Sequence, residues 1–183
     1  MSSSTKLLNA GTMLGLLGLG VILSSALPTM AHPSENPVQI ARITPRAYVG
    51  LTYRDLPKGL ENRGGWVIDS DRRDPTHGGA IIRQGQSQML WLERYISRDA
   101  AGRVTYQVVD ALNLPEILKS RELAVGFCRL NGRSDRRIAA IVEATNTEFR
   151  TRVHRAWQLN INTGKIVPIS TRRIACENPG WGV

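Results

Sequence analysis

Beyond position 60 the chain alternates short apolar clusters with intervals rich in Gly, Asp and Asn, a spacing that suits strands joined by turns. Trp66-Val67-Ile68, Ala80-Ile81-Ile82 and Met89-Leu90-Trp91-Leu92 are the first clusters, and the last runs on through Glu93, Arg94, Tyr95 and Ile96. Asp99-Ala100-Ala101-Gly102 then offers a loop, and Arg103 to Val109 returns with the β-branched and aromatic content that a pleated, half-buried surface favours. Residues 89–110 therefore predict a hairpin. Leu114-Pro115-Glu116-Ile117-Leu118-Lys119 predicts a helical turn, because proline at the first helical position lacks only an N–H that would have no partner there anyway. Leu123 to Leu130 and Ile138 to Ala144 predict a second strand pair, with Asn131-Gly132 as a turn whose residues tolerate positive φ. Between 147 and 160 the period changes. At about 100° per residue Phe149, Val153, Ala156, Trp157 and Leu159 share one arc, with Arg150, Thr151, His154, Arg155 and Gln158 opposite, and Thr145 with Glu148 fits a capping box. The expected fold is α+β, a mainly antiparallel sheet with one packed amphipathic helix near 147–159. Thr163-Gly164 should turn the chain into a strand over Lys165 to Ile169 with Pro168 on an edge.

The N-terminal pattern is of another kind. Lys6 is followed by Leu7 to Leu27 with no ionisable side chain, and the densest apolar part, Met13 to Leu23, falls short of the about 20 helical residues that a bilayer core requires. A cleavable signal peptide over 1–31 is expected, with Thr29-Met30-Ala31 at the cleavage position and Ser24-Ser25-Ala26 as an earlier candidate. The expected product is periplasmic or secreted and keeps no stable transmembrane span; the alternative is a membrane anchor formed by the uncleaved segment. His32 to Pro45, with three prolines, reads as an extended arm, and residues 46–183 as a single domain.

The sequence has 183 residues, 42% of them hydrophobic, and two cysteines, which excludes a disordered tail, a disulfide-built mini-protein and a four-Cys zinc module. In an exported chain Cys128 and Cys176 should pair, closing a ring of about 48 residues worth about 4 kcal/mol in the chain-entropy model. Lys and Arg number 24 against 15 Asp and Glu. Most of the basic residues are Arg, whose planar guanidinium binds carboxylate and phosphate in a two-pronged geometry. Arg150, Arg152, His154 and Arg155 on the expected helix, with Arg136 and Arg137 near the Asn131-Gly132 turn, are the candidate contacts for an anionic polymer, a lipid headgroup or an acidic protein. Export and the lack of an aromatic-interleaved RNA motif argue against nucleic acid.

Three carboxylates and an imidazole fall close together at Asp69, Asp71, Asp74 and His77, a concentration that could gather ligands around a divalent cation. The EF-hand pattern fails, because Arg73 and Asp74 stand where an oxygen ligand and a glycine belong, so a solvated turn with internal ion pairs is the expectation and no cofactor is implied. His77-Gly78-Gly79 is similar to the loop that supplies oxyanion-hole amides in esterases, yet no Gly-x-Ser-x-Gly turn accompanies it. The leading function is a noncatalytic exported basic module; the alternative is a small hydrolase centred on the Asp69–His77 loop.

Asn146-Thr147-Glu148-Phe149, Ala156-Trp157, Thr163-Gly164-Lys165 and the tail from Cys176 to Gly182 resemble segments of small exported proteins of cyanobacteria that have no assigned activity. The resemblance implies a bacterial envelope setting. It carries no functional residue with it.

Overall fold

The computed structural model describes residues 44–69 and 75–182. After a single 3-10 turn at Pro45–Tyr48 come β1 (Thr52–Tyr53), β2 (Leu60–Val67), β3 (His77–Gln84), β4 (Ser87–Arg98) and β5 (Val104–Asn113). They are followed by β6 (Arg121–Val125), β7 (Cys128–Leu130), β8 (Arg133–Ser134) and β9 (Ile138–Glu143). The last four are β10 (Phe149–Arg150), β11 (Val153–Asn160), β12 (Lys165–Pro168) and β13 (Ile174–Glu177). All pairings are antiparallel and make three sheets, ordered β1-β5-β4-β3-β2, β12-β11-β9-β6 and β10-β13-β7-β8.

The core shows how the sheets stack. Ile81, Leu90 and Leu92 of the first sheet share a cluster with Ala139, Ile141, Trp157, Leu159 and Ile166 of the second. The opposite face of the second sheet, through Ile138, Ala140, Val142 and Ala156, meets Cys128, Ile174 and Cys176 of the third. The second sheet is thus buried on both faces, which is why β9 is apolar from Ile138 to Val142 without alternation. Each large side chain so buried contributes about 2 kcal/mol. The first sheet also has a second apolar layer: Ala80, Ile82, Met89 and Trp91 are covered by Tyr48, Leu51, Tyr53, Leu56 and Leu60. β1 and β2 occupy opposite edges of that sheet, so the connection 54–59 passes between edges, and Leu56 on it packs against this outer layer.

The helix expected at 147–159 does not form; the segment is β10 and β11, and among the described residues the fold is all β. The helical period was produced by a bulge. Val153 pairs with Val142 and Arg155 with Ile141, so one extra residue stands between them. Val153 and Ala156 thereby pack toward the third sheet although an odd number of positions separates them, while Trp157 and Leu159 face the first. Apolar residues on both sides of a bulged strand imitate one helical stripe. The capping residues serve a loop instead: Thr145 Oγ1 lies 2.9 Å from Thr147 Oγ1, and the Glu148 carbonyl accepts from the Asn178 amide at 2.9 Å.

Two smaller expectations also change. Residues 114–119 are not helical; Leu114 is buried in the first cluster, and its amide donates to the Gln88 carbonyl at 2.8 Å. The run 123–130 is two strands in two sheets, because Gly126 at φ +73° breaks it. A Cβ at Gly126 would lie 2.8 Å from the Trp66 ring, so only glycine both turns there and admits the indole. The 89–110 hairpin, the Asn131-Gly132 turn and the Pro168 edge strand form as expected. Trp66, Trp91 and Trp157 are buried, whereas Trp181 is exposed. The leader and most of the arm lie outside the described residues.

Cys128 and Cys176 are bonded and stand opposite each other on β7 and β13. Both are fully buried in a sheet whose strands have only two to four residues, so the bond holds together a layer with few ladder hydrogen bonds of its own. Removing it by Cys128→Ser with Cys176→Ser should lower unfolding free energy by about 4 kcal/mol. Urea denaturation of this variant beside the oxidised protein measures the loss.

Candidate functional site

Strand alternation sends Leu90 and Leu92 of β4 toward the second sheet and Trp91, Glu93 and Tyr95 to the outer face. The register Tyr53↔Tyr106 and Tyr95↔Tyr106 then sets three tyrosines abreast on β1, β5 and β4. The Tyr53 and Tyr106 rings stack with centroids 5.6 Å apart, and Tyr95 meets Tyr106 edge-on at 5.3 Å. Trp91, fully buried, braces Tyr53 at 5.9 Å and Tyr48 at 5.2 Å. All four tyrosines of the chain are therefore in this one group. Two bulges between β4 and β5, at Leu92/Glu93 and at Tyr95/Ser97, flank the tyrosine row and re-aim the side chains beside it.

Glu93 sits among these rings, 4% exposed, with the Tyr53 hydroxyl donating to its carboxylate. It forms no ion pair among the described residues. Burial raises its pKa to about 7, and the Tyr53 hydrogen bond, which pulls the other way, does not offset that. Burial also pushes the Tyr95 phenol up to about 12 and, with the neighbouring carboxylate, the Tyr53 phenol further still.

A cavity of about 520 Å³ opens above this group. Its floor is the backbone of Gly65, Gly78, Gly79 and Ala80, and Tyr53, Tyr95, Tyr106 and Leu56 wall it. Arg54, Asp55 and Asn62 form the exposed rim. The two glycines of β3 serve different faces: a Cβ at Gly78 would stand 3.0 Å from the Tyr95 hydroxyl, whereas one at Gly79 would stand 2.3 Å from the Trp66 ring, so Gly79 makes room for the indole. The His77-Gly78-Gly79 run thus belongs to strand β3, with its glycines flooring the pocket.

The expected sites fare differently. Asp69 is buried and accepts from the Thr76 amide at 3.0 Å, the Thr76 hydroxyl at 2.7 Å and the His77 amide at 3.1 Å. Burial raises its pKa, but these hydrogen bonds outweigh burial and hold the carboxyl below its ordinary value. His77 Nδ1 is 2.9 Å from the Thr76 hydroxyl and 3.8 Å from Asp69. Asp69 therefore spends its lone pairs closing the β2–β3 connection. Asp71 and Asp74 lie outside the described residues, among which no group of His, Cys, Asp and Glu is arranged to hold a metal ion.

The basic candidates do not share one free face. Arg150, 8% exposed, pairs with Glu122 at 2.9 Å and donates to Asn178 at 2.7 Å. His154 bonds Glu143 at 2.7 Å, and Arg137 grips Asp135 at 2.8 Å. Arg136 donates to the Val67 carbonyl at 3.0 Å and covers the Phe127 ring. Arg152 and Arg155 remain exposed, without an ion pair among the described residues.

No protein family, curated protein or solved structure was found to match the chain.

Glu93 gives the site a stability signature. Near pH 4 both states hold the proton; between the ordinary 4.5 and about 7 the folded carboxyl keeps a proton that the unfolded chain has released; above 7 the fold must bury a charge. The contribution of this group should thus fall by about 3 kcal/mol as pH rises from 4.5 to 8. Glu93→Gln should lack that decline, as denaturant midpoints at pH 5 and pH 8 for the two proteins will register.

Proposed function

We propose that this chain is an exported, noncatalytic binding module whose ligand enters the tyrosine-walled cavity over Glu93. One observation carries the reading: three of the chain's four tyrosines and a buried carboxylate that has no ion-pair partner among the described residues converge on one cavity. Aromatic walls with few, well-placed polar groups are what small-ligand sites use. The lining includes no Ser, Thr, Cys, His or Lys, so the Ser–His, Cys–His and lysine Schiff-base arrangements of covalent catalysis have no members there. Export is supported by the apolar leader read over residues 1–31 and by the closed disulfide, a bond that persists in oxidising compartments. The envelope setting implied by the C-terminal resemblance is in keeping with both.

A two-dimensional amide NMR screen with small cationic, neutral and anionic ring compounds tests the pocket without presuming its ligand. Binding should move the amides of Tyr53, Gly78, Glu93, Tyr95 and Tyr106. Shifts confined to other regions, or none at all, would remove the reading.

A second reading rests on Arg152 and Arg155, whose exposure in a chain of net charge +9 leaves them able to contact an anionic polymer, a lipid headgroup or an acidic protein. Reversing both to Glu should markedly lower the salt concentration that elutes the protein from a heparin column, with an unaltered melting temperature. Elution at the same salt would sink this reading. Arg150 is unsuited to the test, because it is buried against Glu122 and Asn178.

A further inference from the structure

Resting on the pocket reading, we propose that the ligand of the Glu93 cavity is an organic ammonium ion, with its charged head held between the carboxylate and the tyrosine rings. A buried carboxylate without a cation is costly, and none pairs with Glu93 among the described residues. Arg54, the one cationic side chain among the cavity's lining, is held by Asp99 at 3.2 Å. The guanidinium groups that do stack on rings are Arg129 over Phe149 and Arg136 over Phe127; none lies over a tyrosine among the described residues. Three tyrosine rings and one carboxylate are therefore left facing the cavity with no cation paired to the carboxylate or stacked on those rings among the described residues. A tyrosine face attracts positive charge through its quadrupole, and the attraction grows as water is excluded. Burial that penalises a lone carboxylate also strengthens its pairing with a cation that enters from outside.

Other ligand classes fit less well. A neutral polyol could bond to Glu93 but would leave its charge uncompensated, and an anion would meet Glu93 and Asp55 as like charges. The glycine floor offers a flat surface beneath the rings, and the cavity exceeds what a trimethylammonium head fills, leaving space for a substituent.

The groups facing Glu93 are Tyr53 on β1, Tyr106 on β5, Tyr95 on its own strand, and Arg54 with Asp55 on the connection. Burial keeps Tyr53 and Tyr95 protonated through the neutral range, so the change there belongs to Glu93. A cation binds the ionised form, so affinity should rise with pH up to the carboxyl's titration near 7 and then level off.

The experiment uses the disulfide-intact protein and four probes: choline, its neutral carbon isostere 3,3-dimethylbutan-1-ol, methyl glucoside and benzoate. Affinity is read by titration calorimetry, and the site by the same pocket amides. At pH 8 choline should bind at least tenfold tighter than the isostere, and the gap should shrink about tenfold on moving to pH 6. Glu93→Gln should lose the preference for choline and keep the isostere's affinity. If the variant fails to fold, the pH dependence in the unaltered protein still decides. Equal affinity for choline and isostere, or a preference for the glucoside or benzoate at these amides, would overturn the ammonium assignment and leave the pocket standing. If no probe moves the pocket amides, both fall.

Discussion

A sheet buried on both faces has to satisfy two hydrophobic interfaces with one run of residues, and β9 does so by giving up polar side chains from Ile138 to Val142. Ala139 and Ala140, one to each side, let the flanking layers approach closely, and the volume they leave is taken up by larger neighbours such as Trp157 and Ile138. The other layers are defined against this sheet. The first sheet is held by Ile81, Leu90 and Leu92; the third, too small to have a core of its own, is held by Cys128, Ile174 and Cys176. Polar chemistry is excluded from both internal interfaces and has to appear elsewhere.

The outer face of the first sheet is where it appears. That face is covered in part by the segment from Tyr48 to Leu60, and at Gly78 no side chain stands where one would crowd the Tyr95 hydroxyl. Glu93 is the exception to the apolar rule on β4, set among residues that exclude water. Its raised pKa and the tyrosines around it have one cause, the desolvation of a face that is covered without being filled.

Much of this architecture is local and could be read in advance. The 89–110 hairpin, the Asn131-Gly132 turn and the disulfide depend on signals that lie within a few residues or on cysteine arithmetic. The helix at 147–159 was misread because period-based inference assumes an unbroken pleat and one buried face, and β11 has neither. The partners of the basic residues are illegible in the sequence for a related reason. Arg150 and His154 are close in sequence, yet their partners Glu122 and Glu143 come from β6 and β9, across ladders that composition does not reveal. The pocket is illegible in the sequence for the same cause, its tyrosines at 53, 95 and 106 being joined only by strand register. The one sequence trace was the alternation Trp91, Glu93, Tyr95, where an acidic residue takes a place expected to be apolar.

That alternation divides labour along a single strand. Leu90 and Leu92 answer to the scaffold, while Trp91, Glu93 and Tyr95 answer to the cavity. Substitutions that reshape the cavity can fall on every other codon of β4 while the intervening codons stay tuned to the fold, so the hollow and the scaffold that carries it can change independently.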